Sequence, residues 1–584
     1  MAEYHNPQHD PSGSGFDMKR MAVVFFITFV FIAITQQFLF KDADQQKSPS
    51  AQKQEQQQQA AAPQPPVAAV PAPQAPAAQA RQATAETETV IENDLYRIAF
   101  TNKGAQVKSW VLKKYKDERG NPLELVHTAA AQQWGYPLSF WTWDQGLKDK
   151  LNTAMYLADA TGQVAAPRAV NFEYADGDVT VRKSFTFDHS YVVKVETSVI
   201  RGGTYVTALP AWPAGFGDAT VPASYHAQTV DYHTGADLER VKLSDVSGGN
   251  VVRGPITFGG AVDQYFAAIF LPDKPQNAVL ATLRNQIEIS ENPAKADSKK
   301  TQVEVLGAAS GEMNAPTSTR LFVGPKDLDV VQAVHANGVN GEPNAGPDLR
   351  ETVDFGIFAF IARPLFLWLK WTQQHMIPNW GWAIVFLTVV INLVLLPLRI
   401  STMKSALRMQ KIAPQIKAIQ DKYKGLKMTD PKRQNMNAEV AAIYKQHSVN
   451  PAGGCLPMLI QMPFLFAFYA MLAGAIEMRQ AKWLWLNDLS SPDRLFLIPI
   501  AIVATMIVLQ KMTPTAGISP EQQRMMNIMM PMMIGLMSWS VASGLGLYWV
   551  TGTIVSIIQQ MIMNRTELGQ EIRAVAEKRA ARKR

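Results

Sequence analysis

The sequence predicts a membrane α-helical bundle of six transmembrane helices, interrupted by a cytoplasmic helical hairpin and joined to an all-β sandwich domain. Three observations predict it. Apolar runs of about bilayer length recur in the last third of the 584 residues, with one more near the N-terminus. Between them, residues from about 89 to 345 alternate apolar and polar with period two. Basic residues gather in one loop and in the tail, which assigns sides to the apolar runs. The mean hydropathy of −0.07 hides this division, because it averages a long polar half with the apolar runs. The net charge of +7 gains meaning only from where it is placed, and the single cysteine, Cys455, excludes an internal disulfide framework or a cysteine-only metal site.

Residues 1–20 read as a short cytoplasmic N-terminus. The run Met21 to Phe40 follows Lys19 and Arg20 and is about as long as a helix needs to cross roughly 30 Å of hydrocarbon. It is long for the apolar part of a signal peptide, and no A-x-A-like cleavage site follows it, so it reads as an uncleaved anchor. Residues 41–88 are rich in Gln, Ala and Pro without apolar periodicity; they cannot bury a core and read as a disordered linker.

The β texture follows, over residues 89–345. Val179, Val181, Phe185 and Phe187 share one parity, and after Asp188, His189 and Ser190 so do Tyr191, Val193, Val195 and Val199. That is a hairpin half-buried on a core. Leu95 to Leu112 repeats the theme around Asn102, Lys103 and Gly104. Many short strands punctuated by Gly and Pro predict a large antiparallel sandwich. The spacings of zinc proteases, serine hydrolases and P-loops are absent from it, and His189 and Asp263 read as surface or turn residues.

Residues 350–378, with Arg363, Pro364, Lys370 and several aromatics, read as an amphipathic helix lying in the membrane interface. Five spans follow, at about 380–400, 456–477, 494–511, 525–542 and 544–563, making a core over 380–563. Trp483 and Trp485 between two of them read as interface anchors. The loop 401–454 has a clear excess of Lys and Arg over acids, and the tail 564–584 ends EKRAARKR, so both are cytoplasmic and the β domain lies on the other side. Within that loop Leu407, Ile412, Ile416, Ile419 and Tyr423 follow helical spacing. A second helix, capped by Asp430 with Pro431 in its first turn, carries Met436, Val440, Ile443 and Tyr444 on one side. The basic surface of this hairpin suits anionic lipid headgroups or ribosomal RNA.

The stretch VVINLVLLPLRIS sets Asn392 inside an apolar run, and Thr388, Gln461, Gln510 and Thr551 are further polar groups in the spans. Such side chains are costly in a membrane unless they face a packed or wet interior. Two readings stay open from position alone. They form interhelical hydrogen bonds worth about 0.6–2 kcal/mol each, or they converge on a hydrated cavity that shortens the barrier to a polar segment. Arg399 lies about 10 Å further along a helix, as a snorkelling cation or as a cation at the mouth of such a cavity. The methionines of RMMNIMMPMMIGLM suit lipid-facing or gap-filling packing, and also a surface that accepts many helices. A small-solute transporter would show internal repeats and charged midplane residues, and a bare anchor would not need five further spans. Neither a metal site nor a cofactor motif emerges.

The stretch VNPAGGCLPMLIQMPFLFAFYAML, Val449 to Leu472, resembles the entry to the third span of the YidC family of bacterial membrane-protein insertases, through Asn450-Pro451, Gly453-Gly454-Cys455, Pro457 and Gln461-Met462-Pro463. NWGWAIVFLTVVINLVLLPL, MRQAKWLWLNDLS, QKMTP and SGLGLYWVTGTIVSIIQQ are similar too, so the resemblance covers roughly residues 355–565. The anchor, linker and β domain are similar in architecture to the Gram-negative form. The resemblance implies an inner-membrane insertase and folding chaperone, not an enzyme and without a cofactor. It implies a five-helix insertase core around a polar groove, closed on the outer side, and a periplasmic β-super-sandwich. The implied partners are nascent membrane proteins and the Sec translocon with its accessory subunits. The implied groove residues are Thr388, Asn392, Gln461, Gln510, Tyr548, Trp549 and Thr551, with Tyr548 and Trp549 where family aromatics contact clients. One position departs from the pattern. Where this chain has Asn392 the family usually has an arginine, thought to hold acidic client segments, so the departure puts electrostatic capture in doubt.

Overall fold

The computed structural model describes residues 80–117, 119–219, 228–246, 248–290, 300–423, 432–447, 456–512, 520–567, 570–571 and 574. The expected anchor at 21–40, most of the linker, the Asp430-Pro431 cap, Asn450 to Cys455 and the end of the tail lie outside these residues. The chain divides into a β unit, 65–354 with 474–476, and a helical unit holding the rest.

In the β unit the described residues form twenty strands in three sheets, of five, ten and five strands. The pairing is antiparallel except where Glu88–Glu92 runs parallel to Gly162–Ala165. Val179–Phe187 pairs with Val192–Arg201, from Phe187 opposite Val193 to Val179 opposite Arg201, and His189 is exposed in the turn. Tyr96–Thr101 pairs with Gln106–Lys116 across a turn in which Gly104 and Ala105 take φ of +70° and +46°. Alternation puts Val179, Val181, Phe185 and Phe187 inside, and Phe100 packs 5.0 Å from Phe185 between ring centres.

Lys183 shares that inward parity and is completely buried. Its Nζ donates to the carbonyls of Gly104 at 2.8 Å, Ala105 at 3.2 Å and Leu138 at 2.8 Å, and lies 4.1 Å from the centre of the Phe140 ring. Burial pulls this ammonium well below the usual lysine range, while three carbonyls and a ring face support its charge. Asp263 corrects part of the sequence reading. It is a turn residue, but a buried one, its Oδ1 accepting from the main-chain N–H groups of Tyr265 and Phe266 at 2.7 and 2.6 Å. Three short helices, α1 (Thr128–Trp134), α2 (Gln145–Thr153) and α3 (Leu328–Gln332), start at side-chain caps from His127, Asp144 and Asp327.

The helical unit contains α4 (Ala359–His375), α5 (Trp380–Val394), α6 (Leu396–Lys422), α7 (Lys432–Gln446), α8 (Leu456–Gly474), α9 (Leu497–Met512), α10 (Pro520–Met537) and α11 (Ser543–Arg565). Among the described residues α11 alone, at 23 residues, is long and apolar enough to cross a membrane; α5, α9 and Met462–Gly474 of α8 are shorter apolar helices. The apolar run 380–400 is therefore not one helix. It breaks at Leu395, because Pro397 has no N–H to continue the α5 ladder and instead occupies the first turn of α6. In α4, Ala362, Leu365, Phe366 and Leu369 are buried, while Phe360, Leu367, Trp368 and Trp371 are exposed, so the helix has an apolar surface on both sides. Lys370 points inward with the first set and pairs with Glu477 at 3.3 Å, both side chains about nine-tenths buried.

Candidate functional site

The site is built on the second half of α11, whose amphipathicity is the reverse of a soluble helix. Thr551, Thr553, Ser556, Gln559 and Gln560 are buried, whereas Ile554, Ile558, Met561 and Ile562 are exposed. From Thr551 to Ile562 polar groups therefore face the neighbouring helices and apolar ones face outward, whereas in the first half of α11 Leu545, Leu547 and Val550 are buried. α5 and α9 pack against α11. Gly552 faces α5: a Cβ built there would lie in ordinary contact, 3.6 Å from Asn392 Nδ2 and 3.7 Å from Thr388 Cγ2.

On the facing side, the two polar groups of α5 bond within their own helix. Thr388 is buried and its Oγ1 donates to the Ile384 carbonyl at 2.6 Å; Asn392, half-buried, donates from Nδ2 to the Thr388 carbonyl at 2.8 Å. Arg399, one helix on, reaches across instead. Its Nη1 donates to Gln559 Oε1 at 2.6 Å and its Nη2 to Ser556 Oγ, while Gln559 Nε2 donates to the main-chain carbonyl of Asn392 at 3.1 Å. A cation is thus held at α11 by neutral oxygens, close to the backbone of Asn392.

The opposite end of the bundle is tied shut by the loop between α8 and α9. Asn379 donates to the Lys482 carbonyl at 3.0 Å, Ser543 N to the Ser491 carbonyl at 2.8 Å and Gly544 N to the Leu489 carbonyl at 2.9 Å. Gly381 sits where any Cβ would overlap the Trp483 indole, and Trp382, Trp483 and Trp485 pack in series. Asp493 caps α9 by accepting from Ile498 N at 2.8 Å.

The remaining predicted residues are less clustered. Tyr548 is buried and stacks on Phe468 of α8 at 4.1 Å between ring centres; Trp549 beside it is half-buried. Gln510 on α9 is half-buried, and its Oε1 is enclosed without a hydrogen-bond donor among the described residues. Only the backbone of Gln461 is described, within α8. In the hairpin α7 packs on α6. Leu407 and Ile412 are buried, Ile416, Tyr423, Val440 and Tyr444 half-buried, and Tyr423 Oη donates to Glu439 at 2.8 Å beside the Lys422–Glu439 pair at 3.1 Å. The described residues hold no cluster of three or more His, Cys, Asp or Glu suited to a metal.

Residues 371–570 match the family described as 60Kd inner membrane protein, and residues 88–368 match the YidC periplasmic domain. The membrane protein insertase YidC of Pelobacter propionicus is 32% identical over 509 residues, covering 83% of this chain and 88% of that protein. Those of Bordetella avium and Syntrophus aciditrophicus are each 30% identical, over 82% of this chain and 83% and 85% of theirs. The chain belongs to the YidC family of membrane protein insertases. YidC proteins are inner-membrane insertases rather than enzymes, they carry a periplasmic domain, and their clients are nascent membrane proteins.

For a YidC chain, the polar inner face of α11 contains more than the sequence reading named. Thr553, Ser556, Gln559 and Gln560 were missed beside Thr551. Their signal was present in TGTIVSIIQQ, where Gly552, Ser556 and Gln559 recur at helical spacing inside an apolar segment.

Proposed function

We propose that this chain moves client transmembrane segments from the cytoplasm into the inner membrane through a polar groove lined by the inner face of α11, alone or beside the Sec translocon. The observation that carries the reading is the reversed amphipathicity of the second half of α11, with Thr551, Thr553, Ser556, Gln559 and Gln560 turned inward. A hydrophilic client segment then crosses a thinner apolar barrier, and burial of the client's own apolar helix, at roughly 25 cal/mol per Å², drives insertion without a nucleotide. Thr388, Asn392, Gln461, Gln510, Tyr548 and Trp549 belong to this groove in the proposal, and Arg399 is its cation. The charge that the family places at the position of Asn392 is supplied here from α6, since Gln559 links Arg399 to the Asn392 carbonyl.

The topology that accompanies this reading has six crossings, with both termini and the α6–α7 hairpin in the cytoplasm and the β unit in the periplasm. The basic excess of residues 401–454 supports that side assignment. The α4 helix lies in the outer interface, where its exposed Phe360, Leu367, Trp368 and Trp371 meet lipid. The basic loop and tail meet anionic lipid and the ribosome.

The test uses purified protein in liposomes with a short Sec-independent client, scored by protease protection. Wild type inserts the client. Arg399→Leu lowers insertion of a client with an acidic polar segment about tenfold, equivalent to one lost charge-assisted contact of ~1.4 kcal/mol, and affects a neutral client less. Asn392→Leu lowers insertion of both, and Asn392→Arg adds little for the acidic client because Arg399 already supplies the charge. Inert wild-type protein would remove the case for action alone, and a large gain from Asn392→Arg would remove the role given to Arg399.

A further inference from the structure

α5 and α6 meet at Leu395, a single turn residue that still accepts from Arg399 N at 3.2 Å, and α11 packs beside this junction. α5 ends at Val394 and α6 starts at Leu396, with Leu395 at φ −82° and ψ −3° between them and its N–H shared by the carbonyls of Ile391 and Leu393. Beyond the break α6 continues for 27 residues, to Lys422. At 1.5 Å per residue that is a rod of about 40 Å, so a tilt of about 10° at its base displaces its far end by about 7 Å. α7 travels with it, because Glu439 accepts from both Tyr423 and Lys422. A change of angle at the base therefore moves the whole hairpin.

Further along α6 Lys411 pairs with Glu571 beyond the end of α11, and one brace of the base comes from α11 itself. Gln559 uses both ends of its amide there: Nε2 donates to the Asn392 carbonyl just before the break, at 3.1 Å, and Oε1 accepts from Arg399 just after it, at 2.6 Å. The bond to the Asn392 carbonyl fixes which way the amide faces and so aims its oxygen at the guanidinium. Ser556, one turn earlier on α11, accepts the second Arg399 N–H and donates to the Gly552 carbonyl at 2.6 Å. Residues on both sides of a helix break are thus joined to one side chain on a third helix, 160 residues away from Arg399 in sequence. All the partners are neutral apart from the guanidinium, so the brace is a set of directional bonds rather than an ion pair.

We propose that Gln559 is a positioning residue for insertion: through Arg399 and the Asn392 carbonyl it sets the angle between α5 and α6, and with it the position of the hairpin at the groove. This rests on the reading of the helical unit as the part that receives clients. Its chemistry explains why a carboxamide suits this position. Only a group that donates and accepts in opposite directions joins a carbonyl to a guanidinium, and leucine of similar size does neither.

The experiment is a distance measurement between spin labels at Ala418→Cys on α6 and Ile562→Cys on α11, both exposed, in full-length protein whose native Cys455 is replaced by Ser. The unsubstituted background gives one narrow distribution. Gln559→Leu and Arg399→Leu each broaden it by several ångströms, the double variant is no broader than either single one, and Ile558→Leu on the outward face leaves it unchanged. Should Gln559→Leu fail to fold, Ser556→Ala removes one acceptor with a smaller change in volume and gives an intermediate width. A wild-type distribution in Gln559→Leu, or broadening in the double variant equal to the sum of the two singles, would overturn the proposal. Protease-protection assays of the same variants separate it from the insertase reading: insertion falling as the distribution broadens supports both, whereas intact insertion with a broadened distribution overturns the positioning role and leaves the groove standing.

Discussion

Lys183 shows what a single residue can hide from a pattern. Its place in VRKSFTF gives it the parity of Val181 and Phe185, and a lysine there would ordinarily argue against a buried strand face. The face is buried all the same, because the carbonyls of Gly104, Ala105 and Leu138 converge on the ammonium from turns in which all three residues have positive φ, +70°, +46° and +64°. Turns of that shape cannot pair their carbonyls in a ladder, so a side chain supplies the donors. Lys183→Met keeps the volume and removes those donors. At about 1–3 kcal/mol for each buried group left unpaired, the β unit should lose roughly 3 kcal/mol or more. Denaturant unfolding of the full chain in detergent, followed by tryptophan fluorescence, measures this, and an unchanged midpoint would show that the three carbonyls find other partners. Asn392 is the opposite case. The sequence shows a polar residue in an apolar run, yet its amide bonds within its own helix, and its main-chain carbonyl is the group that meets α11.

At the scale of elements, strand pairs were readable because alternation is local, while the caps that start α1–α3 are equally local but went unread. His127 belongs to that class: it precedes α1 and its Nδ1 accepts from Ala130 N at 3.2 Å. His233, at the end of a buried strand, likewise accepts from Gly235 N at 2.9 Å, with Glu351 and Asp237 as the charged groups near it. An imidazole that accepts at Nδ1 must be the neutral tautomer with its proton on Nε2, and protonation of both nitrogens breaks the bond. Burial holds both rings below the ordinary value of 6.5, which Glu351 only partly offsets at His233. A depressed folded-state value means that the unfolded chain binds more protons. The two residues therefore contribute stability above about pH 6.5 that is lost as pH falls through that value toward the folded one. Thermal unfolding between pH 8 and 5 should show a Tm that falls with acid, and a shallower fall in His127→Asn with His233→Asn, since Asn accepts without titrating. An identical slope in that double variant would assign the effect to other groups. The break between α5 and α6 was less legible. Pro397 is visible in the sequence, but within the apolar run its consequence depended on which residues could satisfy the freed backbone.

For the whole molecule, the two units are compositionally distinct, and the family match spans both, from residue 88 to 570. The proposed arrangement puts the β unit and the α6–α7 hairpin on opposite sides of the membrane. Single cysteines at Asp178, Asn487 and Ala418, each exposed, report on it in a protein without Cys455. In intact spheroplasts a membrane-impermeant thiol reagent should modify the first two and spare Ala418→Cys until the membrane is opened. Modification of Ala418→Cys from outside would reverse the side assignment drawn from the basic residues of 401–454.

Composition and periodicity by themselves determined that this chain has a β unit and a helical unit and that polar groups lie inside apolar helices. Those properties depend on neighbours within about one helical turn or one strand pair, which a linear pattern records. Only the tertiary structure decided which polar groups meet. Arg399 with Gln559, Gln559 with the Asn392 carbonyl, Lys370 with Glu477 and Lys183 with Gly104 are joined across 160, 167, 107 and 79 residues. Their partners are chosen by the packing of helices and turns whose side chains must be satisfied together, and no local spacing encodes that choice.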